Sequence, residues 1–260
     1  MTLPTPRILI IAGSDSGGGA GVQADIKTVT MLGGHAMTAI TALTAQNTLG
    51  VTGVMPVPPE FVIEQIDAVV SDIGVDAIKI GMIGSVATVH AVAERLERLA
   101  APIVFDPVMV ATSGSLLADE ATIEAFGRLM DVASVTTPNL PELEALGGET
   151  AILAHGCHLL AKGGHADGDE IVDRLLSPQG LVRELRGKRF ETSDTHGTGC
   201  TLSSAVATGL GRGLGIEKAF EQAVSFVRIA ILEAPGLGQG NGPLGQQFVT
   251  DFQWGERDDD

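Results

Sequence analysis

Short β-branched runs alternate with longer amphipathic stretches through the first two thirds of the chain, and this rhythm constrains the fold more than any other feature. Apolar runs predict strands at 7–12, 35–45, 76–80, 102–106, 133–136 and 157–162. Helical spacing fills most of the gaps, at 22–32, 59–73, 85–100, 119–130 and 140–146. A parallel sheet needs such crossovers, and strands covered on both faces read as continuous apolar runs rather than alternating ones. After residue 165 the rhythm changes. "EIVDRLL" and "LVRELRGKRF" flank "SPQG" and predict a hairpin at one sheet edge, and helices at 198–213 and 216–233 close the pattern. The reading is α/β: a three-layer αβα sandwich, with a mostly parallel central sheet and helices on both faces. It takes 1–250 as one domain and 251–260 as an acidic, solvated tail. In such sheets ligands bind beyond the carboxyl ends of the strands.

Composition narrows the partners. Among 260 residues, 16 Lys and Arg face 32 Asp and Glu, a formal charge of −16. Binding to nucleic acid or an anionic membrane relies on surplus cations, so neither is expected. Any phosphate has to be held locally, by backbone amides, a metal and a few lysines. Cys157 and Cys200 form no C-x-x-C pair and no disulfide framework, which points to a reducing cytoplasm. No apolar stretch approaches the roughly 20 residues of a spanning helix, and "ILIIAG" is too short and too poorly flanked for a signal peptide.

Two glycine loops carry the chemistry. "GSDSGGGAGVQAD", residues 13–25, follows the first strand but fits neither G-x-x-x-x-G-K-[ST] nor G-x-G-x-x-G, because Gly18 is followed by Gly19 and Ala20. Alone it reads equally as a tight strand-to-helix turn. "DTHGTGCTLSSA", residues 194–205, places Gly197, Thr198 and Gly199 ahead of a helix of small residues. First-turn amides have no partner within their helix and the helix dipole is positive there, so an anion such as a phosphoryl group in transfer is expected beyond them. Cys200 sits in that first turn, where the same field favours thiolate and lowers thiol pKa values to about 3.5–7.5 in known cases. A thiolate there can accept a proton from a substrate hydroxyl; a lone cysteine is otherwise a small buried filler. Asp106 ends the strand "IVFD". Asn139 and Glu142 in "TPNLPE" can share one face of a helix start and hold waters around a hard cation, and the same pair has the spacing of a capping box.

"AGSDSGGGAGVQADIKT", "TALTAQNTLGV", "DAIKIGMI", "FDPVMVATSG", "TPNLPE", "KGGH" and "THGTGCTLSSA" run in order from about residue 7 to 235. Together they resemble the hydroxymethylpyrimidine/phosphomethylpyrimidine kinases of thiamine biosynthesis, in the ribokinase-like superfamily. The resemblance implies a homodimeric enzyme that uses Mg2+ and ATP. It phosphorylates 4-amino-5-hydroxymethyl-2-methylpyrimidine, then its monophosphate. Cys200 takes the place of the Asp base that most of the superfamily carries, and Gly197, Gly199 and the Cys200 amide form the anion hole. The first loop holds the pyrimidine: backbone near Gly13 and Ala20 lines the pocket, and Asp25 reaches the hydroxymethyl end. Asp25 is equally suited to stabilise its helix start. Gln46 in "AQNT" reads the base, since one planar amide offers an acceptor and donors to an aminopyrimidine edge. Met82 and Val108 supply apolar walls. Lys162, with Thr195 and Thr198, attends the nucleotide phosphates, and Asp106, Asn139 and Glu142 attend the metal.

His165 and His196 are expected as loop residues near the site without a catalytic assignment, and "VATSGS", residues 110–115, as a flexible segment. The sequence departs from the family pattern at "ETAILAHG", where a helix of four or five turns is shortened to two turns or lost. Two other functions remain open: a pyridoxal or pyridoxine kinase of the same superfamily, and a pyrimidine-binding protein without turnover.

Overall fold

The computed structural model describes residues 5–112, 114–165, 168–250 and 252. Its strands are β1 (Arg7–Asp15), β2 (His35–Asn47), β3 (Gly50–Pro56), β4 (Ala77–Ile80), β5 (Ile103–Phe105), β6 (Val135–Thr136), β7 (His158–Ala161), β8 (Glu170–Ser177) and β9 (Gly180–Lys188). They form one nine-stranded sheet in the order β3-β2-β1-β4-β5-β6-β7-β8-β9. From β2 to β7 neighbours run parallel, whereas β3 pairs antiparallel with β2 and the β8–β9 hairpin closes the far edge antiparallel to β7. The order reverses at β1, which lies between β2 and β4. A doubly wound sheet opens its crevice at such a switch point, beyond the strand ends.

Alternation within the strands builds two cores. On one face Leu9, Ile11, Ile78, Ile80, Ile103, Phe105 and Leu159 meet α2 (Pro59–Asp72), α3 (Val86–Leu96), α4 (Glu120–Ala125) and α5 (Gly127–Met130). On the other, Ile8, Ile10, Ala77, Val104, Val135 and Leu160 meet α1 (Gly21–Met31), α8 (Thr198–Gly211) and α9 (Ile216–Leu232). Each such side chain, fully buried, contributes about 1.5–3 kcal/mol. Residues Thr201–Gly209 of α8 are all buried, and their small side chains let the helix lie close on the sheet. The approach is close at Gly211, where a Cβ would sit 2.6 Å from Ile8 Cδ1.

The strands and helices fall where the sequence places them, with four differences. β1 and β2 run on to Asp15 and Asn47, past a register shift between Ala12 and Ser14, so both strands carry polar residues into the crevice. β3 escapes sequence reading because it is a largely exposed edge that contains two glycines and a proline. The helix expected over 119–130 breaks at Phe126, whose buried ring packs edge-on against Phe105 with centroids 5.3 Å apart. The shortened segment after α6 (Leu140–Ala145) forms α7 (Gly148–Leu153), and its buried Ile152 suffices to cover β7, in which Leu159, Leu160 and Ala161 are all buried. Apart from Phe252, the acidic tail expected at 251–260 lies outside the described residues.

Lys79 is a lone charge in the apolar run of β4 and has a fully buried side chain. It faces the α1/α8 layer and donates to both oxygens of Asp25, at 2.8 and 3.0 Å. Ser204 Oγ of α8 donates to Asp25 at 2.7 Å, so one ion pair pins helix to helix to strand. Removing one member of a buried pair strands the other. Lys79→Met is expected to lose about 3–5 kcal/mol of stability, and Asp25→Leu combined with Lys79→Met to recover most of it. Urea unfolding of the three proteins checks this, and a double variant no more stable than Lys79→Met would refute it.

Candidate active site

Asp15, at the end of β1, organises the first glycine loop. One carboxylate oxygen accepts from Gly17 N at 2.8 Å, and the other accepts from Gly19 N at 3.1 Å and Ala20 N at 2.8 Å. The second oxygen also lies 2.8 Å from His196 Nε2, in the second glycine loop. Burial pushes this carboxyl up, but the His196 hydrogen bond and the Ala20 and Gly17 amides more than offset it, and Asp15 is held below the ordinary carboxylate range. The loops touch so closely that side chains are excluded. A Cβ on Gly197, whose φ is +88°, would fall 1.9 Å from Gly19 O, and one on Gly19 would fall 2.4 Å from His196 Cδ2.

This contact floors a cavity of about 910 Å³ along the strand ends. Gly13, Ala20, Gln46, Met82 and Val108, expected around the base, line it. At Gly13 the approach is tight, since a Cβ would meet Met82 Sδ at 2.9 Å. Lys162, Thr195 and Thr198, expected at the nucleotide, line the same cavity with Asp106, Asn139 and Glu142. It continues past them to Asp173, Phe190 and Arg228. Gly197, Gly199 and Cys200 lie in the wall as well. Asp25 does not. It is buried behind the wall with its oxygens engaged by Lys79 and Ser204, so the expectation that it reaches the substrate's hydroxymethyl end is replaced by an indirect role: it holds Lys79, which does line the cavity.

Cys200 also departs from expectation. Its residue is half-buried, and the Gly21 amide is directed to its sulfur. Burial nevertheless pushes the thiol up to about 12; Lys79 pulls it down, but Asp25 and Asp106 push the same way as burial. Burial, reinforced by the neighbouring carboxylates, outweighs the field of one helix start, so the ligand-free site favours a thiol over the thiolate read from the sequence.

Beside it, Asp106 is buried and accepts from Lys162 Nζ at 2.8 Å, Thr137 Oγ1 at 3.1 Å and Ser203 Oγ at 3.4 Å. Burial pushes its carboxyl up, but Lys162 and Lys79 outweigh that and hold it below the usual range. Glu142 Oε2 lies 3.9 Å from Lys162 Nζ, and burial raises this carboxyl in spite of the lysine. Asn139 and Glu142 form a complete capping box on α6, so the local role read from their spacing is realised. Lys162 is therefore firmly held even though the preceding helix is short. Among the described residues no group of three or more His, Cys, Asp or Glu could hold a metal. Two carboxylates spanned by one lysine suit a Mg2+ that arrives on phosphates and keeps several waters.

His196 is buried in the wall. Its Nδ1 lies 3.2 Å from Thr112 Oγ1, and Asn241 Nδ2 donates to Thr112 O at 3.4 Å. Thr112 belongs to the segment expected to be flexible; there Ala111 N donates to Ser115 O and Val110 bridges Leu116, which makes a tight turn over the cavity. Ser113 lies outside the described residues. His165 ends a short 3-10 turn, Gly163–His165. Asp15 and Lys79 were passed over in the sequence, although a carboxylate before a glycine run and a lysine inside an apolar strand are both legible signals.

The profile of a family described as phosphomethylpyrimidine kinase matches residues 15–245. A hydroxymethylpyrimidine/phosphomethylpyrimidine kinase of Rhizobium meliloti is 46% identical over 257 residues, which cover 92% of this chain and 96% of that protein. A thiamine biosynthesis multifunctional protein of Corynebacterium efficiens is 43% identical over 262 residues, which cover 94% of this chain but 36% of that longer protein. Among solved structures, the pyridoxal kinase from Staphylococcus aureus in complex with AMP-PCP and pyridoxal has a TM-score of 0.83 and 33% identity, with 93% of each chain covered. That likeness agrees with a ribokinase-like fold.

The raised thiol is open to direct measurement. Alkylation of Cys200 by iodoacetamide in the ligand-free protein, followed by peptide mass spectrometry, is expected to quicken about tenfold per pH unit without levelling below pH ~10. A plateau below pH ~8 would restore the low-pKa thiolate.

Proposed function

The chain belongs to the phosphomethylpyrimidine kinase family, and from that premise we propose that it transfers the γ-phosphoryl group of ATP to 4-amino-5-hydroxymethyl-2-methylpyrimidine and then to its monophosphate, in thiamine biosynthesis. One observation carries this reading: Cys200 and the glycines before it line the same cavity as Gln46 and Lys162. A cavity of about 910 Å³ has room for a small base and a nucleotide together.

The base lies between Met82 and Val108 with its polar edge on Gln46, which brings its hydroxymethyl group towards Cys200. Thr198 N turns back to Thr195 O at 3.3 Å, and the next amides, of Gly199 and Cys200, start α8 and face the transferring group. Lys162 meets the phosphates as a point charge. Mg2+, when bound with the nucleotide, neutralises phosphate charge, and Asp106, Glu142 and Asn139 are the residues that would hold it. Burial is the main cause of the raised thiol; a cation beside Asp106 would offset one of the two carboxylates that add to it, in the same direction as Lys79. Cys200 takes the alcohol proton as the oxygen attacks.

The second acceptor is a phosphate oxygen, already largely ionised at neutral pH because its second pKa is about 6. It has no comparable need of a base. Cys200→Ala is therefore expected to lower kcat for the alcohol by about 10²- to 10⁴-fold and for the monophosphate by less than about tenfold. Equal losses in both steps would remove the cysteine from proton transfer. For the wild type, kcat/KM with the alcohol, which reports groups of the free enzyme, should climb from pH 7 towards 9, since a thiol pushed up to about 12 yields its base form as pH rises.

Pyridoxal is the competing substrate, because the Staphylococcus aureus neighbour was solved with it. Labelled-ATP assays on both alcohols separate the readings. A preference for pyridoxal of about tenfold or more in kcat/KM, only about 1.4 kcal/mol, would overturn the pyrimidine assignment.

We place the enzyme in the cytoplasm, where ATP is supplied and the thiol stays reduced, and take it to be a homodimer. In support of a dimer, β3 ends the sheet, and Leu43 and Met55, paired across β2 and β3, are exposed together. Such an edge is usually covered or blunted. Light scattering at micromolar concentration should return twice the chain mass.

A further inference from the structure

Two side-chain nitrogens face each other in the cavity wall: Gln46 Nε2 lies 3.3 Å from His196 Nε2. Counting protons decides what the contact must be. Asp15 accepts three backbone N–H groups and lies 2.8 Å from the same His196 nitrogen, an environment of donors that leaves no acceptor for a carboxyl proton. His196 Nε2 therefore carries the hydrogen, and Nδ1 accepts from Thr112 Oγ1 at 3.2 Å. That hydrogen goes chiefly to Asp15, and a protonated Nε2 has no lone pair to receive an amide N–H, so the Gln46 atom 3.3 Å away is the amide oxygen, a weaker second acceptor that matches the nitrogen in shape.

The other end of the amide agrees with that orientation when the Thr44 proton goes to its nearer acceptor. Thr44 Oγ1 has one proton and donates it to Ser14 O at 2.9 Å. Towards Gln46, 3.1 Å away, it can then only accept, and what it accepts is an amide N–H. A single orientation satisfies Asp15, His196, Thr44 and Ser14 together. The reverse leaves two N–H groups opposed at one end and two acceptors at the other.

We propose that His196 is the positioning residue that fixes Gln46, with its carbonyl towards the imidazole and its NH2 towards Thr44, so that the tautomer of His196 sets the order of acceptor and donor presented to the substrate base. The proposal rests on the aminopyrimidine reading of the cavity and deepens it. An aminopyrimidine edge offers a donor, the exocyclic amine, beside an acceptor, the ring nitrogen. Its 4-oxo analogue offers the reverse order. A free glutamine serves either by flipping its amide, whereas a locked one serves one order and leaves buried polar groups unpaired against the other, the most effective way for a site to reject an analogue. Through Thr112 the same imidazole also ties the turn at 110–116 to the base-reading residue.

The test compares kcat/KM, with ATP, for the 4-amino alcohol and its 4-oxo analogue in the wild type, His196→Leu and His196→Gln. The wild type is expected to favour the amino substrate by about 100-fold or more. His196→Leu should cut that ratio by about tenfold or more, and His196→Gln, whose amide N–H reaches the Nε2 position, should keep it within about threefold. Taking a ratio cancels any loss of folded or active protein common to both substrates. A wild-type ratio in His196→Leu, or an equal loss in both variants, would overturn the proposal. Imidazole 15N spectra of the wild type decide it separately: the Nε2–H form is expected, and an Nδ1–H form would refute it even if the leucine variant does not fold. Wild-type protein that turns over neither pyrimidine would refute the kinase reading, while the 15N result would still judge the tautomer.

Discussion

The Asp15 carboxylate is the constraint on which the site depends. Glycine-rich backbone has many accessible conformations, and a loop with Gly17, Gly18 and Gly19 in succession is held in one of them only if its amides find a common acceptor. Asp15 supplies that acceptor from the rigid end of β1 and spends its remaining capacity on His196, 181 residues away in sequence. The two loops thus share one anchor, and Gly197 can approach Gly19 O to a distance no other residue allows. What is placed on these loops, from Ala20 to His196 and Cys200, inherits its position from that bond.

Around this anchor the charges alternate. Lys79 lies against Asp25, and Asp106 against Lys162, which reaches on towards Glu142. A chain with a formal charge of −16 places two of its few lysines against the buried carboxylates of this region. The pattern lets opposite charges neutralise one another while the cavity is empty, so no buried charge stands alone. It also bears on why Cys200 stays protonated: burial raises the thiol, and the carboxylates that balance the lysines add to it.

The sheet was legible because strands buried on both faces leave continuous apolar runs, and β3 was not, because an exposed edge leaves none. The glycine loops, Cys200 and Asp106 stand out in local pattern, since helix starts and strand ends are set by near neighbours, whereas Lys162 stands out only through the family resemblance. What pattern could not give was partnership across the fold. Asp25 has the look of a helix-start carboxylate, yet its destination depends on Lys79, 54 residues on. The state of the Cys200 thiol depends on carboxylates from two other elements, and the role of His196 on a residue at the opposite end of the chain. Each of these is fixed by tertiary packing, which a spacing argument does not contain.

The nine consecutive buried residues of α8 also govern where motion is allowed. A helix wedged between a sheet and two other helices cannot swing or slide without opening both contacts, so the sulfur and the amides at its start form the immobile anvil of the reaction. Substrates must be brought to it and released by the rim.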